Sequence, residues 1–243
     1  INNLDQVIYE EQKQKIRDVF IIRPEEKKSI TLFSCEDIMG IKSPSVSLSR
    51  LVELMPNSEL VVVLRNQLNC WESWYHSHGS MLKGVPRPYW RHFVGFDAWT
   101  DYCLAFPYNS PAWAMNYWEH YKIFLRYFPS HKIKVLFFED FIYEKDFFIR
   151  EWGNLLDVQY DVLKTLLGDK KEREARSQLE YFIHSYLKNY DITTAVYKRL
   201  KFLDFLFTKK IPHMNEKTIV KLKNFYREGN RKLQDELEVD LAK

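Results

Sequence analysis

The spacing of hydrophobic and polar positions changes period several times along the chain. Leu60–Leu64, LVVVL, is an unbroken apolar run rich in β-branched residues. Such a run predicts a strand buried on both faces of a parallel sheet. Residues 132–138, KIKVLFF, form a second run; residues 29–34, SITLFS, form a third, and residues 19–22 a weaker one. Between them the period is helical. Residues 45–54 predict a short helix before the turn MPNS, and residues 68–82 a long one after the central strand. Residues 112–127 are amphipathic, with Trp113, Tyr117, Tyr121, Phe124 and Phe128 near helical spacing. From Asp161 onward only helical patterns remain. Strand–helix alternation followed by helices predicts an α/β fold with a central parallel sheet flanked by helices and a helical C-terminal part. No Ser- or Gly-rich linker and no internal repeat interrupts the chain, so residues 1–243 read as a single domain.

Composition then narrows the function classes. Of 243 residues, 46% are hydrophobic and 28% charged, an ordinary globular balance. Basic residues exceed acidic ones by 36 − 33 = +3, and the two signs are interleaved, so no nucleic-acid partner is expected. Only 7 glycines are present, too few for a repeated Gly-rich nucleotide fingerprint. Cys35, Cys70 and Cys103 show no C-x-x-C spacing, and there is no N-x-[ST] sequon. Both features favour a reducing, cytoplasmic setting. No apolar run approaches the roughly 20 residues that span a bilayer, so no transmembrane segment is expected. The polar start INNLDQ is not a signal peptide. A start at Ile1 and a stop at Lys243 within a charged helical pattern lead us to expect truncation at the N-terminus, and of the C-terminus as well.

Ligands of open α/β sheets gather at the carboxyl ends of strands. The residues there are Arg65-Asn66-Gln67, Cys35-Glu36-Asp37 and Glu139-Asp140-Phe141. Arg65 stands at the tip of the central strand before a helix start, with Ser73 eight residues later. A forked guanidinium and helix N–H groups suit a phosphate, and a serine two turns in can reach the same oxygens. The same spacing is also met by an arginine paired to Glu36 or Glu139, with Ser73 on a helix surface. Residues 79–84 have the glycine spacing of a phosphate loop, but Val85-Pro86 follows where Lys-Ser or Lys-Thr is needed, so the match is a decoy.

The segment from Leu60, LVVVLRNQLNCWESWY, resembles the 3′-phosphate-binding segment of sulfotransferases that use 3′-phosphoadenosine 5′-phosphosulfate (PAPS). That family reads strand-R-[ND]-P-x-x-[RA]-x-x-S-x-[YW]. This chain has Arg65, Asn66, Ser73 and Tyr75, with Gln67 in place of the usual proline. KIKVLFFEDF is similar to the family's later strand ending in E-D-[LF]. FYREGNRKLQDELEVDL, residues 225–241, is similar to the terminal helix F-Y-x-x-x-N-x-x-L of the glycan-type branch. The likeness runs from about Ser29 to Lys243.

The resemblance implies a P-loop-type three-layer fold and in-line transfer of a sulfuryl group from PAPS to an acceptor hydroxyl, with no metal. A carbohydrate or glycoconjugate is the expected acceptor. It implies 3′-phosphate binding by Arg65 and Ser73, with Arg173 and Arg176, beside Ser177, closing over the nucleotide. Those two arginines equally suit a solvated helix face. Glu36 is the candidate general base, and His76 and His78 are the alternatives. Residues 81–110, with three prolines, many aromatics, Arg87 and Arg91, suit the acceptor side, or else a lid over the core. The family's loop for the 5′-phosphosulfate, G-x-x-[RK]-[ST]-G-[ST]-[TS], has no match here. Two other readings therefore stand beside the enzyme: a non-catalytic binding module of the same fold, and a P-loop kinase relative.

Overall fold

A computed structural model describes residues 6–20, 32, 34, 36–39, 44–79, 90–167, 178–207 and 214–239. The two strongest apolar runs form its strands, β1 (Leu60–Leu64) and β2 (Ile133–Phe137). They pair in parallel, from Leu60 opposite Ile133 to Leu64 opposite Phe137. Both carboxyl ends therefore lie side by side. Parallel neighbours need a long crossover, and the residues between these two supply it. The predicted strand at residues 29–34 lies almost wholly outside the described residues.

The chain sorts into two compact units. The first is Ile1–Leu64 with Glu119–Leu166. It holds α1 (Gln6–Phe20), α2 (Pro44–Leu54), β1, β2 and, after β2, α7 (Phe138–Tyr143), α8 (Lys145–Leu156) and α9 (Tyr160–Leu167), apart from the last residue of α9. Its core gathers Leu48, Leu54, Val62, Leu64, Tyr121, Phe124, Ile133, Leu136, Phe148 and Ile149, all buried. Against α2, buried Tyr9 of α1 donates to Glu53 Oε2 at 2.9 Å. The Arg50 guanidinium stacks 4.4 Å over the Tyr9 ring and donates to Gln6 Oε1 at 2.9 Å. Helix α8 ends in a left-handed residue, Asp157 at φ 49°. Gly153, one turn earlier, meets the Val158 carbonyl so closely that a Cβ there would lie 2.8 Å from its oxygen.

The second unit is Arg65–Trp118 with Leu167–Lys243. It holds α3 (Gln67–Trp74), α4 (Phe96–Ala105), α5 (Pro111–Ala114), the start of α6 (Tyr117–Phe124), α10 (Gln178–Leu187), α11 (Tyr190–Leu200) and α12 (Glu216–Leu237). Its core is aromatic: Trp71, Tyr75, Trp99 and Tyr226 pack with Val94, Cys103, Ala112, Met115 and Leu222. Burial demands partners for the polar atoms of the Trp71 and Tyr75 rings. Trp71 Nε1 donates to Thr100 Oγ1 at 3.0 Å, and the Tyr75 hydroxyl donates to the Val94 carbonyl at 2.8 Å. Helix α12 buries Thr218, Leu222, Tyr226 and Leu233, a stripe at helical spacing. Its cap, Asn215, accepts from Thr218 N at 2.8 Å, while Asn215 and Thr218 both donate to Asp97.

Several sequence expectations need correction. Val19 and Phe20 close helix α1 rather than start a strand. Burial along β1 alternates, with Val62 and Leu64 inside and Val63 42% exposed, because successive side chains point to opposite faces. The helix expected over 68–82 is α only through Trp74 and continues as one π turn, Tyr75–Gly79. The helix expected over 112–127 is two: Ser110 caps α5 ahead of Pro111, and the chain breaks at Met115-Asn116. Within the aromatic segment 81–110, residues 96–105 form α4. Among the described residues no helix is long and apolar enough to cross a membrane.

Candidate functional site

The segment that follows β1 is built by local rules. Asn66 leaves the strand direction at φ −49°, ψ 121° and caps α3. Its Oδ1 accepts from Leu68 N at 3.0 Å and Asn69 N at 3.3 Å. This satisfies two of the orphan donors at the helix start. Arg65, half-buried, is thereby held outside the helix at the mouth of its N-terminus. The Arg65 carbonyl accepts from the Tyr117 hydroxyl at 2.7 Å, which ties this point of the backbone to the start of α6.

Gln67 occupies the first helical position, where proline is well tolerated because that N–H is unpaired anyway. Asn66 even has the ψ that precedes a proline comfortably. The glutamine uses the position differently. Its Nε2 donates to the Met115 carbonyl at 2.8 Å, and its Oε1 accepts from Asn230 Nδ2 of α12 at 2.6 Å. The Met115 carbonyl lies in the break between α5 and α6, so the broken helix supplies an acceptor for Gln67. One turn before Asn230, Tyr226 donates to the Ala112 carbonyl at 3.3 Å. Burial raises the Tyr226 phenol above its ordinary range, so it stays a donor. The F-Y-x-x-x-N pattern of α12 thus fastens the segment after β1 through Asn230 and α5 through Tyr226.

Ser73 lies seven residues beyond Asn66, about 20° away around the helix and roughly 10 Å along it. It is exposed on the side of α3 that carries the cap. Arg65 thus precedes the start of α3, and Ser73 lies near its far end. Glu139 and Asp140 sit in the first turn of α7, directly after β2, and Glu139 is half-buried. Glu36 opens a one-turn 3₁₀ helix, Glu36–Met39, and its side chain lies outside the described residues. Arg173, Arg176 and Ser177 also lie outside them. His76 sits in the π turn with its ring edge-on to Tyr75 at 5.3 Å; the His78 side chain is not described. Among the described residues no group of three or more His, Cys, Asp or Glu is placed to hold a metal ion.

Sequence reasoning passed over Tyr117, the Gln67–Met115 bond and the pairing of Asn230 with Gln67. The only signal available was the F-Y-x-x-x-N pattern; Tyr117 and Met115 lie about fifty residues from their partners and carry no local mark.

No curated protein matches the chain. A crystal structure of a sulfotransferase from Alicyclobacillus acidocaldarius has a similar fold, with a TM-score of 0.50 and 14% identity. The match covers 83% of this chain and 63% of that one, so this chain spans under two thirds of that protein's length. At such an identity the likeness concerns the fold alone, and it fits the mostly helical α/β arrangement around a parallel sheet. The sulfotransferase domain family matches residues 43–235, a stretch that contains β1, Arg65, Ser73, β2 and nearly all of α12. The chain belongs to the sulfotransferase family.

Proposed function

We propose that this protein transfers a sulfuryl group from PAPS to the hydroxyl of an acceptor, with a carbohydrate or glycoconjugate as the acceptor class. The observation that carries the reading is that the family match spans the segment after β1, in which Arg65 precedes α3 and Ser73 lies on it. The donor set fits an anion. The Asn66 oxygen is taken up by two backbone N–H groups, and Arg65 and Ser73 lie on either side of that cap in the sequence. When bound, PAPS supplies the sulfuryl group and leaves as adenosine 3′,5′-bisphosphate.

In this scheme Arg65 binds the 3′-phosphate through paired N–H donors and neutralises its charge. Ser73 adds a hydroxyl donor, and the dipole of α3 favours the anion. Tyr117, Gln67 and Asn230 hold the backbone that carries Arg65, so its placement does not rest on a loose loop. Arg173 and Arg176 would close over the nucleotide, and Glu36 would accept the proton of the attacking hydroxyl. The three cysteines, none in C-x-x-C spacing, support a reducing, cytoplasmic setting.

The test is release of adenosine 3′,5′-bisphosphate from PAPS in the presence of a panel of carbohydrate and phenolic hydroxyl acceptors. Acceptor-dependent release is expected. Glu36→Gln should lower that turnover at least ~100-fold while leaving bisphosphate affinity unchanged; an unaltered rate removes Glu36 from the chemistry. Tighter binding of ATP than of the bisphosphate would select a kinase relative, and nucleotide binding without turnover would select a binding module.

A further inference from the structure

Helix α11 runs directly into a 3₁₀ helix, Lys201–Leu206, whose outer surface is apolar. Three residues per 3₁₀ turn place Phe202 and Phe205 on one face. They are 70% and 79% exposed, and neighbouring Leu206 is 64% exposed. The two phenyls alone offer roughly 300 Å² of apolar surface, taking about 200 Å² for an aromatic side chain. With Leu206 beside them the patch falls in the size range of the largest apolar patch on a typical monomer, which is often functional.

The turn presents these rings from a held backbone. On its inner side Leu203 is half-buried, and Asp204 Oδ2 accepts from the Tyr197 hydroxyl at 2.7 Å. The Asp204 carbonyl accepts from Phe207 N at 3.1 Å and closes the turn.

Along the described sequence, the exposed charges next to the patch have one sign. Lys198, Arg199 and Lys201 are all exposed and flank the phenyls in sequence. Of the acids on α10, α11 and the turn, Asp204 faces inward to Tyr197, and Asp191, at the far end of α11, pairs with Arg91 at 2.5 Å. Glu180 lies in the first turn of α10. Two exposed phenyls and a leucine rimmed by three cations form the pattern of a surface that enters the headgroup region of an anionic bilayer. A second copy of the chain fits worse, because a two-fold contact would set three cations against the same three.

We propose that residues 198–206 dock the protein on an anionic membrane surface, with Phe202, Phe205 and Leu206 entering the interface and Lys198, Arg199 and Lys201 meeting lipid phosphates and carboxylates.

The test is co-sedimentation of the protein with vesicles of about one-third phosphatidylserine in phosphatidylcholine, beside vesicles of phosphatidylcholine alone. Binding to the anionic vesicles is expected, with little to the neutral ones and a loss at about 0.5 M salt. Phe202→Ser with Phe205→Ser should reduce the partition about tenfold or more. The exposed charge variant Lys198→Glu, Arg199→Glu, Lys201→Glu should do the same with an unchanged circular dichroism spectrum, which keeps the test independent of any packing loss from the phenyl changes. Absence of binding by the unaltered protein, equal binding to neutral vesicles, or variants that bind as well as the parent would each overturn the proposal. So would a dimer in sedimentation velocity that the phenyl variant dissociates, which would assign the patch to a second copy.

Discussion

The bond between Asn230 and Gln67 can be weighed by a double-mutant cycle. Both side chains are half-buried, and the contact is 2.6 Å long. Asn230→Ala removes the donor and leaves Gln67 Oε1 in a poorly solvated place. A made hydrogen bond contributes about 1 kcal/mol net, and stranding its partner adds to the loss. The single change should therefore cost about 1–2 kcal/mol, or a fall in melting temperature of about 2–8 °C for a chain of this size. Gln67→Ala removes the same contact and also the bond to the Met115 carbonyl, so it should cost somewhat more. If the two residues act through each other, the double variant falls short of the sum by about 1 kcal/mol. Urea denaturation of the four proteins measures this. Additivity within ~0.3 kcal/mol would mean that α12 does not brace the Arg65 segment through this pair. Gln67→Pro makes a useful companion: the backbone at Asn66 accepts it, so the helix start should survive while the coupling to Asn230 vanishes.

Other expectations follow from the aromatic core and from burial. A Cβ on Gly79 would lie 2.6 Å from Tyr75 Cδ2 and 2.9 Å from the Trp99 ring, and both rings are fully buried. Gly79→Ala should therefore cost about 1–3 kcal/mol in denaturant unfolding, and a cost under ~0.5 kcal/mol would show that the rings have room. Burial pushes the Cys103 thiol up to about 12 and also raises the phenols of Tyr75 and Tyr226. These folded-state values lie above the unfolded ones, so the fold favours the neutral forms. Their contribution is complete below about pH 9 and drains away as pH climbs toward 12. Urea midpoints across pH 8–11 should decline through that window, and a flat profile would contradict the burial of these groups. At pH 8 Cys103 should stay inert to a thiol reagent until the protein unfolds, because the thiolate is the reactive form.

Elements made by local pattern were legible in the sequence. The run LVVVL matches β1 residue for residue, the second run differs from β2 only at its ends, and the short helix before MPNS differs from α2 by one residue. Where distant groups decide the outcome, the pattern was silent. The aromatic spacing over 112–127 reads as one helix, yet Pro111 and the Ser110 cap start a separate short turn, and the Met115 carbonyl is taken by a side chain 48 residues away. Residues 19 and 20 are apolar and β-favouring, yet they extend a helix already under way, as context commonly overrides propensity. At the candidate site, the sequence pattern places Arg65 after a strand and Ser73 on the helix that follows. The roles of Tyr117, Gln67 and Asn230 were not legible, because each depends on a partner brought near by folding.

The central claim is that Arg65, at the helix start following β1, binds the 3′-phosphate of the donor. Isothermal titration of the protein and of Arg65→Ala with adenosine 3′,5′-bisphosphate tests it, with ATP as the competing nucleotide. Loss of a charge-assisted contact costs about 1.5–3 kcal/mol, so the variant should bind roughly 10- to 100-fold more weakly at unchanged stability. Equal affinity in the two proteins would contradict the account.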